Sequence, residues 1–128
     1  MADKKAKILL VEDDLFMRRL YSEAFTLAGY TVTAAVDGGE GLMQIYKDIP
    51  SIVLLDVMMP EMNGIELLEK IKADPITKHI PVIMLTNLSG KTEENNALSK
   101  GAEKYLVKSE YEPKQVVQIV EEILSVHP

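Results

Sequence analysis

The sequence predicts an open α/β fold, a doubly wound five-stranded parallel sheet with helices packed on both faces. Three observations lead there. Short apolar runs alternate with longer stretches of helical periodicity, strand then helix, five times along the chain. The runs Ile8–Val11, Ile52–Leu55 and Val82–Leu85 are continuously apolar, as in strands buried on both faces. Most of these runs end in a polar or charged residue followed by turn chemistry. In a parallel sheet with right-handed crossovers, all such strand ends lie on one edge, where open α/β folds keep their ligand crevice.

The first strand, Lys7–Val11, runs into Glu12, Asp13 and Asp14. From Leu15 the pattern becomes helical, with Phe16, Leu20, Ala24 and Leu27 as the apolar stripe and Arg18, Arg19 and Glu23 among the polar positions. Gly29 supplies a C-terminal stop. Thr31–Val36 is rich in β-branched residues, with Val32, Ala34 and Val36 alternating against Thr31, Thr33 and Ala35. Asp37 caps a second helix marked by Leu42, Ile45, Tyr46 and Ile49, although Gly38, Gly39 and Gly41 weaken its first turn by about 1 kcal/mol each relative to Ala. Pro50 ends it.

The central strand Ile52–Leu55 leads into Asp56 and a turn containing Pro60, Asn63 and Gly64. Taken alone, Asp56 reads equally well as a turn-capping aspartate. Ile65, Leu68 and Ile71 mark a third helix, stopped by Asp74 and Pro75, and Pro81 introduces a fourth strand ending in Thr86. Ser89 to Gly101 is the weakest helix, with Ala97 and Leu98 almost its only apolar residues, and so the segment most easily reshaped. Lys104–Val107 is a short fifth strand that contains Tyr105 and ends in Lys108. Pro113 opens a last helix with Val116, Val120, Ile123 and Leu124 as its stripe.

The 128 residues suit one domain, 1–128, with 47% apolar and 27% charged residues, which excludes disordered and fibrous classes. Absence of cysteine removes disulfides, thiolate metal sites and thiol nucleophiles. The charged start is followed by only four apolar residues, too few for a signal peptide or a membrane span, so a cytoplasmic location is expected. A net charge of −6 argues against nonspecific nucleic-acid binding, which depends on Lys and Arg neutralising phosphates. His79 and His127 read as surface residues.

Glu12, Asp13, Asp56, Thr86 and Lys108 should therefore gather at one sheet edge although they span most of the sequence. Three clustered carboxylates repel one another and would be hard to ionise together unless a cation shared the site. All-oxygen ligands without His or Cys suit a hard cation, and a small cluster with room for water and phosphate suits Mg²⁺ better than Ca²⁺. Such a metal beside a lysine and a threonine would stabilise a transferring phosphoryl group. Asp56 would be the nucleophile, already ionised at neutral pH and needing no general base.

The residues V-E-D-D at 11–14, L-D-V-M-M-P-E-M-N-G at 55–64, Thr86 and K-Y-L-V-K at 104–108 resemble the receiver domain of bacterial two-component response regulators, the CheY-like family. The resemblance covers essentially the whole chain. It implies strand order 2-1-3-4-5 and a phosphoacceptor, Asp56, charged by a histidine kinase or a histidine phosphotransfer protein. It makes Asp13 a direct Mg²⁺ ligand, Glu12 a ligand through water, and the Met58 backbone carbonyl a further ligand beside Asp56. Asp14 stands outside the pair and caps the first helix. Thr86 and Lys108 would read the phosphoryl group, and Tyr105 would turn inward as Thr86 moves. The added charge of about −1.5 to −2 would reshape the face from Ser89 to Val126, the expected site for a downstream protein target or a homodimer.

Two positions depart from the family's usual pattern. Ser109 follows Lys108 where proline is common, and Asn87 follows Thr86 in place of a small residue. Met58, Asn87 and Leu88 flank the pocket and would modulate access. The apolar Met58 and Leu88 cannot position an attacking water, so slow self-dephosphorylation is expected. Three other readings compete. A phosphohydrolase of the haloacid-dehalogenase type needs an acid where Met58 stands, and a flavodoxin-like FMN binder would not place three carboxylates in its phosphate loop. A receiver-like scaffold working unphosphorylated remains open through Asn87 and Ser109. With no effector domain after Val126, output would be protein binding, unless the chain is an N-terminal fragment of a longer regulator that binds DNA.

Overall fold

The computed structural model describes residues 6–127, and the charged residues 1–5 read above lie outside them. The elements are β1 (Lys7–Val11), α1 (Leu15–Leu27), β2 (Thr31–Ala35), α2 (Gly38–Lys47), β3 (Ile52–Leu55) and α3 (Gly64–Ala73). They continue with β4 (Val82–Thr86), α4 (Lys91–Ser99), β5 (Lys104–Val107), a 3-10 turn (Lys108–Glu110) and α5 (Pro113–Val126). All strand pairings are parallel and the order is β2-β1-β3-β4-β5, as the resemblance implied. Among the described residues no helix is long and apolar enough to cross a membrane.

The period-two alternation of strand side chains sends each strand's residues to two cores. Leu9, Val11, Val53, Leu55, Val82 and Met84 face Ile45, Leu67, Leu68, Ile71 and Ala97 of α2, α3 and α4. Ile8, Leu10, Ile52, Leu54, Ile83 and Leu85 face Tyr21, Phe25, Val116, Val120 and Ile123 of α1 and α5. Both faces of β1, β3 and β4 are thus dry, which is why those runs are continuously apolar.

Local signals set the helix ends. Asp14, Asp37 and Asn63 accept hydrogen bonds from the amides of Met17, Glu40 and Glu66, which satisfies otherwise unpaired first-turn donors. Pro113 begins α5 within a reciprocal Glu112–Gln115 capping box. Gly29, with φ 99°, follows α1 in the left-handed conformation that stops helices. The turn between α3 and β4 is held by the Lys72 ammonium donating to the carbonyls of Lys78 and Ile80 at 3.0 and 2.7 Å.

Three expectations are corrected. The buried stripe of α1 is Tyr21 and Phe25, with Met17 and the expected Ala24 packed beside them, while Phe16 and Leu27 are 71% and 81% exposed. β2 ends at Ala35, one residue short of the expected Val36, and as an edge strand it buries only Ala35 fully, with Val32 packed against the core and Ala34 and Val36 facing solvent. Of the apolar stripe expected for α2, only Ile45 is fully buried. Tyr46 is exposed and donates its hydroxyl to the Asp74 carboxylate, and Ile49 lies beyond the helix end. One of the α2 glycines has a packing role: a Cβ on Gly41 would stand 2.9 Å from Val11 Cγ2, so the bare backbone lets α2 sit close on β1.

Candidate functional site

Register brings the acids together. Val11 is paired with both Ala35 and Leu55, so Glu12 and Asp56 leave the sheet at the same level on adjacent strands. The Asp56 amide donates to the Val11 carbonyl at 3.2 Å and the Glu12 amide to the Ala35 carbonyl at 3.0 Å, which carries the ladder one residue past the strands. At β4–β5, Thr86 is paired with Val107, which puts Lys108 just past the same edge.

Oxygen atoms of Glu12, Asp13 and Asp56 lie within 4.8 Å of one another. Glu12 is 2% and Asp56 6% exposed, while Asp13 faces solvent. The Lys108 ammonium, itself 7% exposed, donates to Glu12 Oε1 and, at 3.0 Å, to Asp56 Oδ2. Glu12 Oε2 accepts from the Asp14 amide at 3.0 Å and Asp56 Oδ1 from the Met58 amide at 3.0 Å. Burial pushes the Glu12 carboxyl above its ordinary value, against the lowering effect of the Lys108 hydrogen bond. For Lys108, burial pulls downward but the bonds to Glu12 and Asp56 outweigh it, so its pKa is raised.

Thr86 is buried at the end of β4, and its hydroxyl oxygen accepts from the Leu88 amide at 3.2 Å. Half-buried Tyr105 donates its hydroxyl to the Leu88 carbonyl at 2.6 Å. One residue, Leu88, therefore connects Thr86 and Tyr105 through both of its backbone polar groups. Met58 and Asn87 are exposed and Leu88 is half-buried at the rim. Asp14 caps α1 and stands outside the carboxylate set. Ser109 lies in the 3-10 turn, and no peptide bond among the described residues is cis. His79 and His127 are both exposed, with His127 3.5 Å from Glu103.

Two contributors escape the sequence reading. A Cβ on Gly64 would stand 2.1 Å from the Asp56 carbonyl oxygen, so the loop after β3 folds back over Asp56 only because position 64 has no side chain. Arg18, read above as a polar helix position, donates from Nη1 to the carbonyls of Glu12 and Asp13 at 2.9 and 3.2 Å. Its position in the first turn of α1, within reach of the acid loop, was the available signal, but charge on a helix is common enough to conceal it.

The donor set fits a hard divalent cation: three carboxylates converge, one lysine balances part of their charge, and no soft ligand is present. The model of the response regulator receiver domain family matches residues 8–121. Response regulator PleD of Caulobacter vibrioides is 42% identical over 103 residues, covering 80% of this chain and 23% of PleD. The chain spans under a quarter of PleD and about half of other curated relatives. The chemotaxis protein CheY4 of Vibrio cholerae superposes with a TM-score of 0.85 at 30% identity, covering 91% of this chain and 97% of CheY4. The Mn²⁺-bound form of response regulator Rcp1 superposes at 0.80 with 28% identity, covering 94% and 93%. With its strand order, its acid–lysine cluster and these matches, the chain belongs to the response regulator receiver domain family of CheY-like signalling proteins.

Proposed function

We propose that residues 1–128 act as one receiver module in which Asp56 accepts a phosphoryl group from a phosphohistidine of a histidine kinase or a histidine phosphotransfer protein. The observation that carries this reading is the position of Asp56, buried at the sheet edge between a buried lysine and two further carboxylates. In the transfer, an Asp56 carboxylate oxygen forms the new O–P bond as the N–P bond to the donor imidazole breaks, and the electron pair leaves with the imidazole. Lys108 stays close to the oxygens on which charge develops, and the Thr86 hydroxyl donates to the bound phosphoryl group. Mg²⁺, held by Glu12 through water, by Asp13 and Asp56, and by the Met58 carbonyl, would supply charge neutralisation at the phosphoryl oxygens. The Mn²⁺ bound by the related Rcp1 supports a divalent site.

The connection of Thr86 and Tyr105 through Leu88 supports the switch reading. A Thr86 hydroxyl redirected toward a phosphoryl group loses the Leu88 amide, and the Leu88 carbonyl and Tyr105 must adjust with it. The effect would reach α4, β5 and α5, the proposed face for a downstream protein or a second copy, with no direct role for nucleic acid or membrane. The small share of PleD that this chain spans favours a second reading of the output, as the module of a longer regulator.

Intact mass after incubation with a small phosphodonor, with and without Mg²⁺, tests the chemistry. One Mg²⁺-dependent phosphoryl adduct on the wild type and none on Asp56→Asn is expected. No adduct on the wild type would reject the proposal in favour of the scaffold reading. Slow loss of the adduct is expected from the apolar Met58 and Leu88, and a lifetime of seconds would contradict that part.

A further inference from the structure

We infer that Arg18 is a positioning residue for the divalent-cation site, acting through the backbone of the acid-bearing loop. The inference rests on the proposed role of Asp13 as a cation ligand. The Asp13 carboxylate has no hydrogen-bond or ion-pair partner among the described residues. Glu12, by contrast, is fixed at both oxygens, by Lys108 and by the Asp14 amide. Nothing therefore holds Asp13 in place except the backbone conformation at residue 13.

That conformation is fixed by Arg18. Its Nη1 donates to the carbonyls of Glu12 and Asp13 together, at 2.9 and 3.2 Å, so one rigid guanidinium bridges the two successive peptide groups that carry the acids. Arg18 is itself anchored, because its amide donates to the Asp14 carbonyl at 2.9 Å as an opening bond of α1. The helix thus reaches back through this side chain and sets the angle at which the loop leaves β1. A planar donor on two carbonyls restricts the loop in a way that a mobile ammonium does less well.

Geometry and charge make opposite predictions, which permits a test. A cationic side chain bonded to the acid-bearing loop opposes the approach of a second cation, so a purely electrostatic role means that removing Arg18 tightens Mg²⁺ binding. A positioning role means that removal weakens it. Residues that orient metal ligands through hydrogen bonds typically change affinity about 10- to 100-fold when lost. We place Arg18→Gln at the lower end, about tenfold weaker, because Glu12 and Asp56 keep their own partners.

The experiment is calorimetric titration of the intact chain with Mg²⁺ for the wild type, Arg18→Gln and Arg18→Lys, with circular dichroism to establish that each is folded. The phosphodonor reaction is then followed against Mg²⁺ concentration. The expected result is about tenfold weaker binding for Arg18→Gln and partial recovery in Arg18→Lys. The Mg²⁺ concentration for half-maximal phosphorylation should rise by the same factor, with the rate at saturating Mg²⁺ unchanged. Unchanged or tighter binding in Arg18→Gln overturns the inference. So does a lower rate at saturating Mg²⁺ with unaltered affinity. If Arg18→Gln does not fold, Arg18→Lys decides alone: weaker binding supports positioning, and wild-type affinity rejects it. Failure of the wild type to bind Mg²⁺ would reject the proposed cation site itself, a result distinct from either outcome for Arg18.

Discussion

Lys108 is the residue on which the unphosphorylated site depends. It is the ammonium that contacts both buried carboxylates, so its removal leaves Glu12 and Asp56 as uncompensated charges. Breaking a buried pair from one side costs about 3–5 kcal/mol, and Lys108→Met should lose stability of that order at neutral pH in denaturant titrations. The loss should shrink in acid. Glu12 has a raised pKa, so the native state holds its proton more firmly than the unfolded state does. Stability from that group is complete below the ordinary 4.5 and is lost as pH rises through the raised value. A Lys108→Met protein no less stable than the wild type at neutral pH would mean that the carboxylates find other compensation. Tyr30 gives an alkaline counterpart. Burial, with the charge of Glu121 and a hydrogen bond to it, raises its pKa to about 12 from 10.0. The native state therefore retains the phenolic proton over that window, and its stability should fall as pH climbs from 10.0 toward 12. Tyr30→Phe should flatten this slope, and an identical slope in the variant would remove Tyr30 as its cause.

Helix α1 shows what was legible in the sequence and what was not. Its existence and its Gly29 stop follow from local chemistry, and its Asp14 cap from the family resemblance. Its inward face does not, because the helix is apolar on two sides. Phe16, Leu20 and Leu27 make one stripe and Met17, Tyr21 and Phe25 another, with Ala24 between them and packed against the core, and only packing against the sheet and α5 selects between them. Phe25→Ala should therefore cost about 3–5 kcal/mol, whereas Phe16→Ala should stay within about 0.5 kcal/mol. Equal losses in thermal or denaturant melts would put both stripes in the core. The phase of β2 was obscured for a related reason: as an edge strand it buries little, so its alternation carries weak information about burial. The strand exits of β1, β3, β4 and β5 were easier to read, since continuous apolar runs end abruptly at Glu12, Asp56, Thr86 and Lys108. Arg18 and Gly64 were hidden because their roles are contacts to backbone atoms, which leave no mark in hydrophobic pattern.

Across the whole molecule, parallel topology turns four separate strand ends into one site. Glu12 and Lys108 are 96 residues apart in sequence, yet they are in direct contact because β1 lies near the centre of the sheet and every strand points the same way. The same edge joins the site to α4, where Ala97 is the one fully buried residue. Such a segment opens at small cost and can respond to a local change in hydrogen bonding. In the proposed function, phosphorylation of Asp56 is transmitted through Thr86, Leu88 and Tyr105 to this face. Amide hydrogen exchange, read peptide by peptide on the phosphorylated and unphosphorylated protein, tests it most directly. Altered protection from Asn87 through α4 and across β5, absent from phosphodonor-treated Asp56→Asn, is the predicted result. A protein that carries the phosphoryl group yet exchanges there as before would mean that the signal does not leave the Asp56 pocket by this route.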